Sequence, residues 1–274
     1  MNRSNGTESG SGGTADIVRQ ASNVVGAVAQ VTAGAIVGPA VGAVANENRS
    51  LILPSGYAFS IWSVIFLLFA IYAVYQAMPS HRTDPLLRTI GPWTAAATIG
   101  NAVWTLLFPN RLYVLAQLLI VAIAVCAIVA LQRYAAWSSR QQPTRFQRWV
   151  IGLAVGLLAG WVTAASFVGV AATLVAGGVA ATGEAAALGA AGLLLFGGGV
   201  AIAVLLAART GAPVAWLAYG AATVWALIAV AANNAARSGL IATVALAVAA
   251  ALVVLAATLW RADAGGQSTP GAVA

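Results

Sequence analysis

Residues 112–132 are LYVLAQLLIVAIAVCAIVALQ, a stretch without a charged side chain that lies between Arg111 and Arg133. A bilayer core about 30 Å thick is crossed by a helix of roughly 20 apolar residues. Because no water pairs with backbone groups there, only helices and closed barrels cross it. Similar runs recur along the chain, which is 61% hydrophobic and 7% charged. The sequence therefore predicts an all-α, polytopic membrane helix bundle.

The apolar runs between charged and turn residues predict eight membrane spans. They cover residues 21–45, 55–78, 89–108, 112–132, 149–176, 188–208, 213–232 and 239–260. The first is rich in Gly and Ala and contains Pro39, whereas glycines and Glu184 mark the boundary between the fifth and sixth. The Ser/Gly/Thr-rich residues 1–20 predict a disordered tail. Residues 261–274 predict a second, flexible tail.

All 13 basic residues of the chain are arginines, and their placement supports an even number of spans. With eight spans, Arg49, Arg111 and Arg237 fall on one side of the membrane and the other arginines on the opposite side. Cytoplasmic loops carry the excess of positive charge, so both termini are predicted to be cytoplasmic. The all-arginine, alanine-rich composition favours a bacterial plasma membrane. Single arginines at helix ends are typical of topology and lipid contact, and no nucleic acid is expected as a partner.

Two predicted spans carry small residues four positions apart, a pattern that lets membrane helices approach closely. These residues are Gly34, Gly38 and Gly42 in the first span and Gly152, Gly156, Gly160 and Ala164 in the fifth. The pattern indicates either packing within the chain, which we favour, or a homodimer interface.

Aromatic side chains share one face of the second span. Phe59, Trp62 and Phe66 have the spacing i, i+3, i+7, which aligns their rings on a helix. In the fifth span, Trp161 lies in the segment GWVTAA at residues 160–165. Such rings inside a bundle are explained by packing or by a flat, largely apolar ligand.

Asn101 is an amide in the middle of the third span, aligned with Trp104 and Phe108 by the same spacing. An unpaired amide in lipid costs free energy, so Asn101 is expected to face the bundle interior. A hydrogen bond between helices and a polar contact to a ligand both explain it.

The chain carries few residues suited to redox or metal chemistry. Its single cysteine, Cys126, lies in an apolar run, which excludes a disulfide within the chain and is typical of a buried thiol. The one histidine, His81, lies in a polar loop without a second histidine or a carboxylate pair nearby. No metal site built by the protein is therefore expected.

Three motifs, in this order and at these separations, resemble the TspO/MBR family, the translocator-protein or tryptophan-rich sensory family. They are FSIWSVIF at 59–66, NAVW at 101–104 and GWVTAA at 160–165. The end of the second span, YAVYQAMP at 72–79, resembles the longer bacterial and plant-type members. The likeness covers about residues 21–176, and Trp216 and Trp225 extend it weakly.

The resemblance implies a five-helix membrane domain over residues 21–176, followed by three further transmembrane helices over residues 177–260. Family members bind porphyrins, sterols and synthetic aromatic ligands in a pocket closed by the loop between the first two helices, here residues 46–56. With the aromatic face of the second span included, the ligand-binding residues implied are Phe59, Trp62, Phe66, Asn101, Trp104, Trp161 and Ala165.

The chain departs from the family pattern at two places in the fifth span. Residues 156–159 are GLLA where polar or aromatic residues are often seen, and Gly169 replaces a frequent asparagine. No sterol-type pattern of Leu or Val, Tyr and Arg follows Trp161, although Arg111 and Tyr113 match the reversed pattern. These features favour a tetrapyrrole over a sterol.

The resemblance thus implies a membrane receptor or sensor for a hydrophobic planar ligand such as a porphyrin, with no cofactor required. The alternative is a secondary transporter of a small hydrophobic metabolite, for which Pro39 would break the first helix. Ion-coupled carriers usually keep charged groups at the midplane, and the confident spans have none. An enzyme acting on a bound tetrapyrrole is not predicted, because no acid–base pair or activated nucleophile is recognisable. Its only candidate chemistry is that of Trp62, Trp104 and Trp161.

Overall fold

The computed structural model describes residues 8–266, with side chains at 13–262, and this part of the chain contains eight α-helices. They are α1 Glu8–Glu47, α2 Ile61–Ala77, α3 Pro85–Leu107, α4 Tyr113–Ser138, α5 Gly152–Ala176, α6 Glu184–Ala208, α7 Pro213–Asn234 and α8 Gly239–Gly266. A 3₁₀ helix, Gly56–Ser60, leads into α2, and a π-helical turn, Gln147–Ile151, leads into α5. The predicted all-α, polytopic helix bundle is confirmed.

Seven helices of the described chain are long and apolar enough to cross a bilayer, and α3 is the exception. Its 23 residues nevertheless span about 34 Å at 1.5 Å per residue. At one end, the carboxylate of Asp84 accepts a hydrogen bond from Gln147, just before α5. At the other end, the ring of Phe108 contacts Tyr113, where α4 begins. Between these ends, α3 packs against α1 on one side and α4 on the other.

The helices form a ring with a second group attached to one side. In the ring, α1 packs on α2 and α3, α4 joins α3 to α5, and α5 contacts α2. On the outside of the ring, α7 packs along α5, α8 along α7, and α6 against α8 and α5. Helix α5 therefore has the ring on one side and the last three helices on the other.

The two glycine faces have different surroundings. On α5, a Cβ added at Gly156 or Gly160 would overlap the backbone carbonyl of Ala215 or Tyr219 in α7. The α5 face is therefore used for close packing within the chain, the interpretation that the sequence favoured. On α1, by contrast, a Cβ added at Gly38 would meet no atom within 4 Å.

The N-terminal residues expected to be disordered are helical from Glu8 onward, so that prediction is wrong for residues 8–20. Polar contacts hold this part of α1. The Arg19 guanidinium donates to the amide oxygen of Gln76 at 3.1 Å, and Arg88 donates from Nε to Asp16 at 2.9 Å. A hydropathy pattern carries no signal for such contacts between distant residues.

The C-terminal tail is likewise shorter than predicted, because α8 continues to Gly266 and residues 261–266 are helical. The remaining tail residues, 1–7 and 267–274, lie outside the described residues. Helix α1 also continues through Pro39 without interruption. At the boundary between α5 and α6, Gly178 and Gly183 have φ angles of +92° and +95°, which a side chain would disfavour.

Three arginines lie together on one face of the bundle, which we call the loop face because it carries residues 46–56. Arg111 pairs with Glu47 at 2.9 Å, Arg49 donates to Asn233 at 2.8 Å, and Arg237 donates to the Ser50 carbonyl at 3.3 Å. The predicted group of three arginines is thus brought together by the fold. We call the opposite face the arginine-rich face.

Candidate functional site

A cavity of about 740 Å³ lies between α1, α2 and α3, beneath residues 46–56. Its walls are mostly apolar. The polar side chains among its lining residues are Asn46, Ser63, Asn101, Thr105 and Asn233. Both the volume and the few polar groups in apolar walls are typical of small-molecule sites, which measure about 300–1,000 Å³.

Five of the seven predicted site residues line this cavity. They are Phe59, Trp62, Phe66, Asn101 and Trp104. The rings of Trp62 and Phe66 stack with centroids 5.2 Å apart and planes at 29°. Trp104 and Phe108 stack at 5.2 Å and 17° on α3. Two helices therefore each supply a tryptophan to the cavity.

The other two predicted residues, Trp161 and Ala165, lie behind the wall. They line a smaller space of about 60 Å³ that shares Phe59 and Trp104 with the main cavity. The buried indole of Trp161 meets Phe59 edge to face at 5.8 Å and Trp62 at 6.3 Å. The fold thus brings all seven residues into one neighbourhood, in which Trp161 supports the rings that face the cavity.

Asn101 is 1% exposed, and its amide has one close neighbour. The Asn101 Nδ2 lies 3.5 Å from Oε1 of Gln30, a fully buried side chain of α1. No described residue pairs with Asn101 Oδ1 or Gln30 Nε2. An amide atom without a partner inside a membrane is costly. Asn101 therefore lines the cavity and carries a buried amide oxygen that no described residue pairs with.

Sequence reasoning did not single out Gln30. No motif includes it, and it lies in the Gly/Ala-rich run of α1. The available signal was a lone polar side chain in an apolar span, the same signal that identified Asn101.

Helix α1 forms one wall of the cavity from small residues. Gly38 and Gly42 line it, and a side chain at either position would project into open space. Pro39 and Ala35 line it as well. Because proline has no N–H group, the Ala35 carbonyl lacks its usual helix donor. At Gly38 and Gly42, this wall thus leaves room for a molecule in the cavity.

Residues 46–56 form the cover of the cavity, and the end of α7 holds this cover in place. The side chains of Asn233 and Asn234 both donate to the Leu53 carbonyl, at 2.9 and 3.0 Å. The Ser55 amide donates to the carbonyl of Ala229 at 3.0 Å. Asn233 also lines the cavity. The site therefore includes α7, which the sequence did not predict, although two adjacent asparagines ending an apolar span were a visible signal.

An aliphatic side chain of the cover also anchors it. Ile52 is fully buried and lines a small space between α5, α6 and α7, beside Leu194 and Val230. The last three helices thus contact the cover through apolar as well as polar groups.

Together, the fold and the cavity define a polytopic α-helical membrane protein with an aromatic cavity inside the bundle. A family model described as TSPO-like protein matches residues 20–258, from α1 into α8. The chain therefore belongs to the TSPO-like protein family, and the resemblance carried by the three motifs is confirmed. Searches among curated proteins and among solved structures each gave no match.

Proposed function

We propose that this protein is a membrane receptor or sensor that binds a hydrophobic planar ligand, such as a porphyrin or another tetrapyrrole, in the cavity. The proposal rests on one observation. Trp62 and Trp104, on two different helices, line a cavity of about 740 Å³ together with the buried amide of Asn101. Membership of the TSPO-like family supports it. Indole faces suit a flat ring system, and one amide fixes its orientation.

The source of affinity differs from that of a soluble receptor. A ligand dissolved in lipid has already left water, so burial of apolar surface contributes little, as for association between membrane helices. Stacking on aromatic rings and hydrogen bonds must supply the affinity instead. Trp62, Trp104 and Asn101 provide these groups.

The glycine face of α1 is better explained by a ligand than by a second copy of the chain. Gly38 and Gly42 border the cavity, so a partner helix packed on them would fill the space. We therefore assign this face to ligand binding within one chain.

The proposed setting is a bacterial plasma membrane with both termini in the cytoplasm. The arginine-rich face would then be cytoplasmic, in keeping with the positive-inside rule. Binding is proposed rather than catalysis, since the lining side chains are aliphatic, aromatic, amide and hydroxyl groups.

The test is a titration of the purified protein in detergent with protoporphyrin, followed through porphyrin absorbance and tryptophan quenching. Wild-type protein should bind saturably, and Trp62→Leu combined with Asn101→Leu should weaken binding about tenfold or more. Trp149→Leu is the matched control, because Trp149 is 59% exposed and does not line the cavity. Unchanged affinity in the double variant would remove the site assignment, and no saturable binding to wild-type protein would remove the proposed function.

A further inference from the structure

Two of the three arginines of the loop face have no acidic partner among the described residues. Arg111 pairs with Glu47. Arg49 and Arg237 form no ion pair with any described residue, including Glu184 at the start of α6. Two positive charges at this face are therefore balanced by no carboxylate of the described chain.

Both arginines lie at the cover of the cavity. The guanidinium of Arg49 donates to the side-chain oxygen of Asn233, a residue that lines the cavity. The guanidinium of Arg237 donates to the carbonyls of Ser50, at 3.3 Å, and Arg49, at 3.4 Å. The partners of both groups are thus neutral oxygens.

The electrostatic state of this pair favours an anion. The pKa of Arg237 is lowered, first because it is partly buried and second because Arg49 is positively charged. Arginine nevertheless keeps its proton in proteins, so both groups stay charged. A carboxylate beside them would relieve the repulsion and form charge-assisted hydrogen bonds, which are about twice as strong as neutral ones.

We infer that the ligand is an amphipathic planar acid, whose carboxylate binds to Arg49 and Arg237 at the loop face while its rings lie beside Trp62 and Trp104. The inference rests on the proposed function and narrows the ligand class to acids. The arrangement matches the layering of a bilayer, with rings at the depth of the helices and the carboxylate at the interface. The planar guanidinium fork suits a carboxylate in two-point contact.

The experiment compares protoporphyrin, which has two carboxylates, with its dimethyl ester, which has the same ring system and no charge. Wild-type protein in detergent should bind the acid about tenfold more tightly than the ester. Arg49→Gln should remove most of this preference, because it should weaken binding of the acid and leave binding of the ester unchanged. Arg49→Lys should retain part of the preference. Arg111→Gln is the matched control, because Arg111 lies on the same face and is already paired with Glu47.

Two results would overturn the inference while the proposed function stands. One is equal affinity of the wild-type protein for the acid and the ester. The other is an equal loss for both ligands in Arg49→Gln, since a loosened cover would affect both. Binding of neither compound to the wild-type protein would instead contradict the proposed function itself. About 0.5 M salt screens contacts between exposed charges. It should therefore lower the affinity for the acid and leave the affinity for the ester unchanged.

Discussion

Gln30 and Asn101 place two amides opposite one another inside the bilayer. Their 3.5 Å separation is at the outer limit for a hydrogen bond, so the contact is weak. Bonds of this kind between membrane helices contribute about 0.6 kcal/mol on average. The pair therefore adds little to stability, and of its two members only Asn101 lines the cavity.

The first prediction separates the two amides. Asn101 lines the cavity and Gln30 does not, so Asn101→Leu should weaken porphyrin binding about tenfold, while Gln30→Leu should change it less than about threefold. The free energy of unfolding of each variant should lie within about 1 kcal/mol of the wild-type value, because the hydrogen bond between the two amides is weak. Titration and thermal unfolding in detergent measure the two effects. Equal losses of affinity would mean that the amides act through packing alone.

Asn101 could be predicted from the sequence, whereas the contact that it makes could not. A polar residue inside an apolar span must face the bundle, whatever the fold. Which side chain it meets depends on the pairing of α1 with α3, and no local pattern encodes this. Gln30 became informative only through that pairing.

At the scale of helices, one sequence pattern serves two purposes. Gly156 and Gly160 on α5 admit α7, whereas on α1 Gly34 lies against the Phe66 ring, and Gly38 and Gly42 leave room in the cavity. The pattern fixes a smooth helix face, but what covers that face is decided by the rest of the fold.

The second prediction compares the two glycine faces directly. Gly156→Leu should destabilise the protein by about 1–3 kcal/mol, because a side chain would overlap the Ala215 carbonyl. Gly38→Leu should leave stability unchanged and weaken porphyrin binding about tenfold or more, since the side chain would fill part of the cavity. Thermal unfolding and titration distinguish the outcomes. Normal binding by Gly38→Leu would place the ligand elsewhere.

The third prediction concerns the cover. In a Cys126→Ser background, a cysteine replacing the 4%-exposed Leu53 should react slowly with a maleimide. Asn234→Ala removes a hydrogen bond to the Leu53 carbonyl and should raise the labelling rate about fivefold. Asn110→Ala is the control, because its side chain bonds only within its own turn on the same face. An unchanged rate in Asn234→Ala would mean that the hydrogen bond from Asn234 does not hold the cover closed.

The predicted span boundaries depended on hydropathy, and their errors have a common cause. Helix α1 begins before the predicted span, and in this added part Asp16, Arg19 and Gln20 bind residues of α2 and α3. The cover is fixed by Asn233 and Asn234, about 180 positions away in sequence. Hydropathy reports the fit of each segment to lipid, so contacts between polar groups of distant segments lie outside its reach.

At the scale of the whole molecule, the unequal charge of the two faces predicts how the bundle is oriented. Because the loop face carries only three arginines, we expect that face to lie outside the cytoplasm. This orientation requires α3 to cross the membrane, because a missing crossing would mix the two sets of arginines. The topology and the site are therefore linked, since the cover of the cavity lies on the loop face.

The last prediction tests that orientation with single cysteines in the Cys126→Ser background. Exposed Ser80, Asn110 and Ser139 lie in the connections before α3, after α3 and after α4. In intact bacteria, a membrane-impermeant maleimide should label Asn110→Cys and leave Ser80→Cys and Ser139→Cys unlabelled until the cells are permeabilised. The reverse pattern would place the cover in the cytoplasm. Labelling of Ser80→Cys together with Asn110→Cys would show that α3 does not cross, and the shared face of Arg49 and Arg237 would then need another explanation.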